Sequence, residues 1–165
     1  MIIDVIILTN SDNGRNSNIT ERTLQSLHDS ETQYVFKPIV MESGELCDQY
    51  KRLIDKYIVP KERFNYNRFL NIAMEHTSSE WVVISNNDLG YEKGWFTEMM
   101  NVHQLRPDIE SFSPKDPMLY MLYFDWHFLN SPDIYFESYS VSEAVMGWCI
   151  VIKRSAIEKV FPLDE

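Results

Sequence analysis

Basic residues are scarce in this sequence, and they form no cluster. The chain of 165 residues has 15 lysines and arginines against 25 aspartates and glutamates, so its net charge is −10. Proteins that bind nucleic acid use basic surfaces to neutralise phosphates, and this charge therefore argues against nucleic acid as a partner. An acidic protein can still bind an anionic diphosphate when a divalent cation stands between the two.

Long apolar runs are also absent. No run approaches the roughly 18 residues that a membrane-spanning helix needs, and the start Met1-Ile2-Ile3-Asp4 lacks the basic region of an export signal. We therefore expect no transmembrane segment and a cytoplasmic protein. The sequence has only two cysteines, Cys47 and Cys149, and their distant positions favour buried free thiols over a disulfide or a metal pair.

Several motifs of catalysis are missing as well. The sequence has no nucleophile elbow, no glycine-rich phosphate loop and no cysteine–histidine cluster. Its histidines are scattered without the spacing of metal ligands. A nucleotidyltransferase is disfavoured too, because the loop after the first predicted strand is not rich in glycine, arginine and lysine.

Apolar residues are plentiful, and their pattern predicts alternating strands and helices. They make up 44% of the chain, which suits one globular domain of residues 1–165. Apolar and β-branched runs predict strands at residues 2–8, 35–41 and 81–84. Helical periodicity predicts helices at residues 46–58, 64–76 and 94–105. Such alternation predicts an open α/β fold, in which helices flank a mainly parallel sheet.

Three further details complete this prediction. Asn18 and Glu21 resemble a capping box and predict the start of a first helix after a loop at residues 9–17. Pro38 indicates an edge position or a bulge in the second strand. Beyond residue 109 the pattern changes and predicts short strands followed by a final helix, at residues 112–113, 118–128, 134–139, 146–152 and 155–160.

A single carboxylate follows the buried strand at residues 81–84. Ser85-Asn86-Asn87-Asp88 places it where ligands bind in open α/β sheets, and an aspartate there can hold a hard cation through its oxygens. The same residues, with Gly90 after them, also suit a tight turn. The sequence leaves both interpretations open.

Several segments match a known family in their order along the chain. They are Val5-Ile6-Ile7-Leu8-Thr9, residues 20–27, Ile39-Val40-Met41-Glu42-Ser43-Gly44, residues 64–71, residues 81–88 with Gly94-Trp95, residues 147–155 and residues 161–165. Together they resemble glycosyltransferase family 2, the inverting nucleotide-sugar transferases of the GT-A fold. The resemblance covers nearly the whole chain and implies a GT-A fold.

The resemblance implies roles for residues of the donor site. Asp88 matches the last acid of the family's DxD motif, and Asn86 stands at the first acid's position, so both are expected to hold Mn²⁺ or Mg²⁺. The residues expected to bind the nucleotide are Thr9, Glu42, Asn65, Asn71 and Asn87. Glu42 stands where the family has an aspartate that accepts a hydrogen bond from the base, and we expect a base with an N–H, such as uracil, thymine or guanine. For Thr9 and Asn71, capping or bracing a turn is an equal alternative.

The resemblance also implies the partners and the organisation of the chain. The donor is expected to be a UDP-, GDP- or dTDP-linked sugar, and the acceptor a glycan or another hydroxyl compound. Residues 1–105 correspond to the donor half and residues 106–165 to an acceptor half, in which Trp148, His127 and Asp164 are candidate contacts. The family's general base lies shortly beyond the segment matching residues 161–165, so we expect this half to be incomplete and transfer to be weak. The spare acids there are Asp164, Glu165, Glu137 and Glu143. The alternative function is a non-catalytic module that binds a sugar nucleotide.

Overall fold

The computed structural model describes residues 1–11, 14–44, 47–114 and 147–165. The strands in these ranges are β1 (Ile2–Thr9), β2 (Val35–Glu42), β3 (Lys56–Ile58), β4 (Trp81–Ser85), β5 (Ser111–Phe112) and β6 (Cys149–Lys153). The α-helices there are α1 (Gly14–Ser30), α2 (Tyr66–Met74), α3 (Trp95–Leu105) and α4 (Arg154–Val160). No helix among the described residues is long and apolar enough to cross a membrane.

The strands form one sheet in the order β3-β2-β1-β4-β6-β5. Strands β3, β2, β1 and β4 run parallel, whereas β6 is antiparallel to both of its neighbours, β4 and β5. The chain leaves β1 through α1 to reach β2 on one side, and β4 pairs with β1 on the other side. The predicted α/β fold with a mainly parallel sheet is therefore confirmed.

The core lies on both faces of the sheet, because alternate residues of a strand point to opposite faces. On one face, Ile3 and Ile7 of β1 belong to a buried cluster with Leu24 of α1 and Phe96 of α3. On the other face, Ile6 packs in a second cluster that α2 and α4 cover with Phe69, Leu70 and Ile157. This two-sided burial explains the continuous apolar run of β1, and it fixes where the polar ends of the strands emerge.

The predicted helix at residues 46–58 is wrong. The described part of this segment forms a short 3-10 helix, Lys51–Leu53, and then β3, which pairs with Ile39–Met41 of β2. The apolar residues of a short segment fit a helix and a buried strand almost equally well. Here the open edge of β2 offers backbone hydrogen bonds, and the Asp55 N–H donates to the Pro38 carbonyl at 2.8 Å.

The same edge explains Pro38. Strand β3 begins opposite Ile39, so Pro38 stands one residue before the paired stretch of β2. Its missing N–H therefore interrupts no bond to β3, although β2 is an interior strand of the sheet and the predicted edge position is wrong.

The predicted start of the first helix is also wrong. Helix α1 already begins at Gly14, so Asn18 and Glu21 lie inside it and form no capping box. Their side chains accept hydrogen bonds from Gln49 Nε2, at 2.6 Å for Asn18 Oδ1 and 2.8 Å for Glu21 Oε2. The last four residues of the loop predicted at residues 9–17 are thus helical. The prediction missed this because residues 14–18 carry little apolar periodicity.

The other described elements agree with the prediction in type and place. Helices α2, α3 and α4 and strands β4, β5 and β6 lie within or beside their predicted ranges. Cys47 and Cys149 are both free, and Cys149 is buried while Cys47 is half-buried. The strands predicted at residues 118–128 and 134–139 lie outside the described residues.

Candidate functional site

A cleft of about 460 Å³ opens at the carboxyl ends of β1, β2 and β4. Its walls are formed by Leu8, Thr9, Asn10, Asn16, Ile19, Ser43, Phe64, Asn87 and Asp88. This edge is the switch point of the sheet, because the chain continues from β1 to one side while β4 lies on the other. Open α/β sheets bind their ligands at such a crevice. The cleft is therefore the candidate site.

Asp88 is the acid of this cleft. It follows β4 by three residues, is exposed, and lines the wall together with Asn87. Its carboxylate makes no hydrogen bond or ion pair with any residue that the structure describes. A carboxylate that has no described partner at a ligand-binding edge is available to a cation or to a ligand.

The two asparagines before Asp88 have different environments. Asn86 is exposed, and its backbone N–H donates to the Trp148 carbonyl at 2.8 Å, so it joins the end of β4 to the turn before β6. Asn87 lines the cleft, and its side-chain nitrogen lies 3.1 Å from Thr9 Oγ1 and 3.0 Å from Thr20 Oγ1. The metal role of Asn86 and the nucleotide role of Asn87 stay predictions.

Thr9 has a bracing role in addition to its place in the cleft. Its hydroxyl contacts the Thr20 hydroxyl at 3.0 Å, and its carbonyl accepts from Ser43 N at 2.9 Å and Ser43 Oγ at 3.0 Å. These bonds join the ends of β1 and β2 and the first turns of α1. The bracing alternative that the sequence left open for Thr9 is therefore present in the structure, and a contact of Thr9 with a nucleotide stays a prediction.

Glu42 is not one of the residues that line the cleft. The residue is 0% exposed, and its carboxylate accepts four hydrogen bonds. Oε1 accepts from the backbone N–H groups of Ser11 at 2.9 Å and Gly44 at 2.8 Å. Oε2 accepts from the hydroxyls of Tyr50 at 3.0 Å and Tyr57 at 3.2 Å. Burial, together with the neighbouring carboxylate, raises the pKa of Tyr50 and of Tyr57, which keeps both hydroxyls protonated as donors.

This arrangement bears on the expected contact between Glu42 and a nucleobase. A carboxylate has about four acceptor positions, and in Glu42 the protein's own donors occupy them. A base N–H could reach this carboxylate only by displacing one of those donors. In the structure Glu42 joins the loop after β1 to the loop after β2, and its contact with a nucleobase stays a prediction.

The two asparagines of the α2 region lie outside the cleft wall. Asn65 is exposed and is the N-cap of α2, where its Oδ1 accepts from the Arg68 N–H at 3.0 Å. Asn71 is buried, and its amide exchanges two hydrogen bonds with the backbone of Leu163, at 2.9 Å and 2.8 Å. Asn71 also donates to Glu165 Oε1 at 3.1 Å. Asn65 thus caps a helix, and Asn71 braces the chain after α4.

We expect Asn71→Ala to lower the free energy of unfolding by about 2 kcal/mol, because it leaves the Leu163 backbone groups without partners in a half-buried place. Urea denaturation followed by fluorescence measures this loss. The matched control is Asn67→Ala, which removes one exposed bond, from Asn67 Nδ2 to the Asp164 carbonyl at 2.7 Å. An equal, small effect of both changes would contradict a bracing role for Asn71.

The acceptor-side candidates are only partly described. Trp148 is half-buried, and its Nε1 has no hydrogen-bond partner among the described residues. Asp164 is exposed, and its carboxylate has no partner among the described residues. The Glu165 carboxylate accepts hydrogen bonds from Asn71 and from Arg68 Nη1, the latter at 3.2 Å. The bond from Asn71 is the main cause, and the bond from Arg68 the second cause, of a lowered pKa of its carboxyl group. His127, Glu137 and Glu143 lie outside the described residues.

Sequence reasoning missed Phe64 as a residue of the site. It was predicted as the first residue of a helix, but α2 begins two residues later and Phe64 lines the cleft with 50% of its surface exposed. Its ring meets Phe69 edge to face, with centroids 5.1 Å apart. A large aromatic residue directly before an N-cap asparagine was the available signal, because such a residue stands outside the helix.

The donor set fits a divalent cation that is shared with a ligand. Among the described residues, no group of three or more histidines, cysteines, aspartates and glutamates could hold a metal ion by itself. Mg²⁺ and similar cations are commonly held by one or two carboxylates together with substrate phosphates and water. The unpartnered carboxylate of Asp88 in the cleft meets this requirement.

Three solved structures resemble the fold of this chain. The mannosyltransferase PcManGT from Pyrobaculum calidifontis, solved in complex with GDP-Man and Mn²⁺, superposes with a TM-score of 0.64 at 16% identity, over 96% of this chain and 46% of that one. Residues 1–349 of S. aureus TarS give a TM-score of 0.65 at 12% identity, over 96% and 49% of the two chains. Glucosyl-3-phosphoglycerate synthase from Mycobacterium tuberculosis, with Mg²⁺ and UDP, gives 0.56 at 15% identity, over 94% and 57%.

These likenesses establish the fold. The chain has the GT-A-like fold of nucleotide-sugar transferases, as the resemblance in its sequence implied. It spans about half the length of these solved structures. No protein-family model and no curated protein matches the sequence.

Proposed function

We propose that this chain binds a nucleotide-diphosphate sugar in the cleft and is the donor-binding part of an inverting glycosyltransferase of family 2. The observation that carries the proposal is Asp88, an unpartnered carboxylate that lines a cleft at the switch point of a GT-A-like sheet. The solved structures of this fold that contain GDP-Man with Mn²⁺, or UDP with Mg²⁺, support the choice of ligand.

The charge of the chain supports a metal-dependent mode of binding. At a net charge of −10 the protein repels a free diphosphate, and a cation at Asp88, with Asn86 beside it, reverses that repulsion locally. When bound, Mn²⁺ or Mg²⁺ supplies Lewis-acid stabilisation of the negative charge that develops on the leaving phosphate. Asp88 contributes a negatively charged carboxylate at the cleft wall, and no basic side chain among the described residues neutralises it.

The apolar part of the cleft suits the nucleobase. Leu8, Ile19 and Phe64 line it, and the half-exposed ring of Phe64 offers a stacking surface. An aromatic ring stacks on any base, so this contact contributes affinity rather than selectivity. We place the base toward Phe64 and the diphosphate toward Asp88.

Transfer requires a general base that takes the proton of the acceptor hydroxyl. We assign the acceptor side to residues 106–165 and the donor side to residues 1–105. Of the two described spare acids, Glu165 is held by hydrogen bonds from Asn71 and Arg68, so its carboxylate is less available to take a proton. Asp164, whose carboxylate is exposed and has no described partner, is the better candidate.

A second function, sugar-nucleotide binding without transfer, is favoured by one observation. Asp88 is the only carboxylate among the described residues that line the cleft. If Asp88 serves the cation, the described part of the wall supplies no separate base. Binding with neither transfer nor donor hydrolysis, measured with a panel of acceptor sugars, would select this function.

The test of the proposed function is a binding series by calorimetry. UDP, GDP and dTDP are each titrated in the presence of Mn²⁺ and of EDTA, with ADP and CDP for comparison. We expect at least one of the first three to bind far more tightly with Mn²⁺. Equal affinities with metal and with chelator for every nucleotide would remove the proposed metal-dependent site.

We expect Phe64→Ala to weaken nucleotide binding about tenfold, both with Mn²⁺ and with EDTA, because a stacked base contributes ~1–3 kcal/mol. The measurement is the same titration. Tyr66→Ala is the matched control, because Tyr66 is a 45% exposed aromatic residue at the start of α2 that does not line the cleft. A similar loss in both variants would contradict a specific contact between Phe64 and the base.

A further inference from the structure

Side chains of β1 and α1 hold the turn that carries Asp88. The side-chain nitrogen of Asn87 contacts the hydroxyls of Thr9 and Thr20, at 3.1 Å and 3.0 Å. The main-chain carbonyl of Asn87 accepts from Thr23 Oγ1 at 2.7 Å. All three threonines are buried, so water competes little for these bonds.

The protons of this cluster fit one arrangement. The Thr20 hydroxyl donates to the Asn16 carbonyl at 3.0 Å and therefore has no proton left for Thr9 or Asn87. The contact of 3.0 Å between the two hydroxyl oxygens is then a donation from Thr9 to Thr20. The Asn87 amide then donates one proton to Thr9 Oγ1 and the other to Thr20 Oγ1. An aspartate at this position would leave the contact to Thr20 without a proton, so the cluster requires an amide.

The turn is fixed on its other side as well. The Asn86 N–H donates to the Trp148 carbonyl at 2.8 Å, and the Ser85 hydroxyl donates to the Asn86 carbonyl at 2.8 Å. The backbone is thus bonded at Asn86 and at Asn87. Asp88 follows directly, with a carboxylate that no described residue binds. The described bonds restrain the turn up to this residue, while the Asp88 carboxylate, at the cleft wall, has no described partner.

We propose that Asn87 is a positioning residue, whose amide, held by the hydroxyls of Thr9 and Thr20, fixes the turn so that the Asp88 carboxylate faces the cleft. The inference rests on the proposed function, in which Asp88 holds the cation of a nucleoside diphosphate. A ligand group that is already in place loses less conformational freedom on binding, and its affinity is higher for that reason. This role differs from the nucleotide contact that the family resemblance implied for Asn87.

The test uses the 165-residue chain with Asn87→Ala, Thr20→Val and Thr20→Ser. UDP and GDP are titrated by calorimetry with Mn²⁺ and with EDTA. We expect Asn87→Ala and Thr20→Val to weaken binding with Mn²⁺ ~10-fold, the range found when a partner of a metal ligand is lost. Binding with EDTA stays unchanged. Thr20→Ser keeps the hydroxyl and restores the affinity of the wild type.

Two outcomes of the titration overturn the positioning role. One is an unchanged Mn²⁺-dependent affinity in Asn87→Ala. The other is an equal loss with Mn²⁺ and with EDTA, which would indicate general damage to the cleft. Thr20→Ser then separates loss of the hydroxyl from loss of packing, because only the hydroxyl is needed for the cluster.

Hydrogen exchange tests the positioning role of Asn87 independently of nucleotide binding. If the wild-type chain showed no Mn²⁺-dependent binding, that result would remove the proposed function, but it would not decide whether Asn87 fixes the turn. Exchange of the Asn86 backbone amide, which donates to the Trp148 carbonyl at 2.8 Å, is followed by mass spectrometry. We expect acceleration of ~10-fold or more in Asn87→Ala and Thr20→Val, because their turn opens more often, and none in Thr20→Ser. Unchanged exchange in the first two variants overturns the inference.

Discussion

Asp88→Asn is expected to abolish the advantage that Mn²⁺ gives to nucleotide binding. The substitution keeps the shape of the side chain and removes its negative charge, so the cation loses the carboxylate that the cleft offers it. Removal of a residue that hydrogen-bonds to a metal ligand lowers metal affinity by ~10–100-fold. Removal of the ligand itself should lower it by at least the upper end of this range. Calorimetric titration of UDP and GDP, with Mn²⁺ and with EDTA, measures the change.

Glu92→Gln is the matched control for this experiment. Glu92 lies four residues further along the same loop, is exposed and does not line the cleft, so its substitution changes the net charge equally. We expect Glu92→Gln to leave the Mn²⁺ effect intact. Equal Mn²⁺-dependent affinities for Asp88→Asn and the wild type would remove Asp88 from the proposed metal site. Equal losses in Asp88→Asn and Glu92→Gln would indicate a long-range charge effect and would contradict a direct contact as well.

The sequence was a good guide to the central sheet and to three of its helices. The runs that became β1, β2 and β4 are apolar and β-branched because both faces of the sheet are covered, and such runs are recognisable without knowledge of their partners. Residues 46–58 were not predictable in the same way. Their conformation depends on the open edge of β2 and on the hydroxyl of Tyr57, which reaches Glu42 across the turn.

The residues of the candidate site also differ in how far the sequence could predict their environment. Asp88 could be placed in the cleft from the sequence, because the end of a buried parallel strand has a known position relative to ligands. The environments of Glu42, Asn71 and Asn87 could not, since each has at least one partner far away in the chain, at separations of 31, 92 and 78 residues. A polar residue type indicates that hydrogen bonds are needed, but it does not indicate which distant groups supply them.

Glu42 carries the second large expected effect. We expect Glu42→Ala to lower the free energy of unfolding by at least about 3 kcal/mol, because it leaves the N–H groups of Ser11 and Gly44 and the hydroxyls of Tyr50 and Tyr57 without their common acceptor. Urea denaturation measures this loss. Glu158→Ala removes an exposed carboxylate and should change the stability by no more than about 0.5 kcal/mol.

Glu42→Gln tests whether the same carboxylate reads the nucleobase. An amide can accept the two backbone N–H groups with its oxygen, and it can donate to the two tyrosine hydroxyls, which are free to rotate. We therefore expect a smaller loss of stability than for Glu42→Ala. If Glu42 serves the protein's own donors, the order of affinity among UDP, GDP, dTDP, ADP and CDP stays unchanged in the folded Gln variant. A changed order in the competition series would show instead that a base displaces one of those donors and contacts Glu42, as the family resemblance implied.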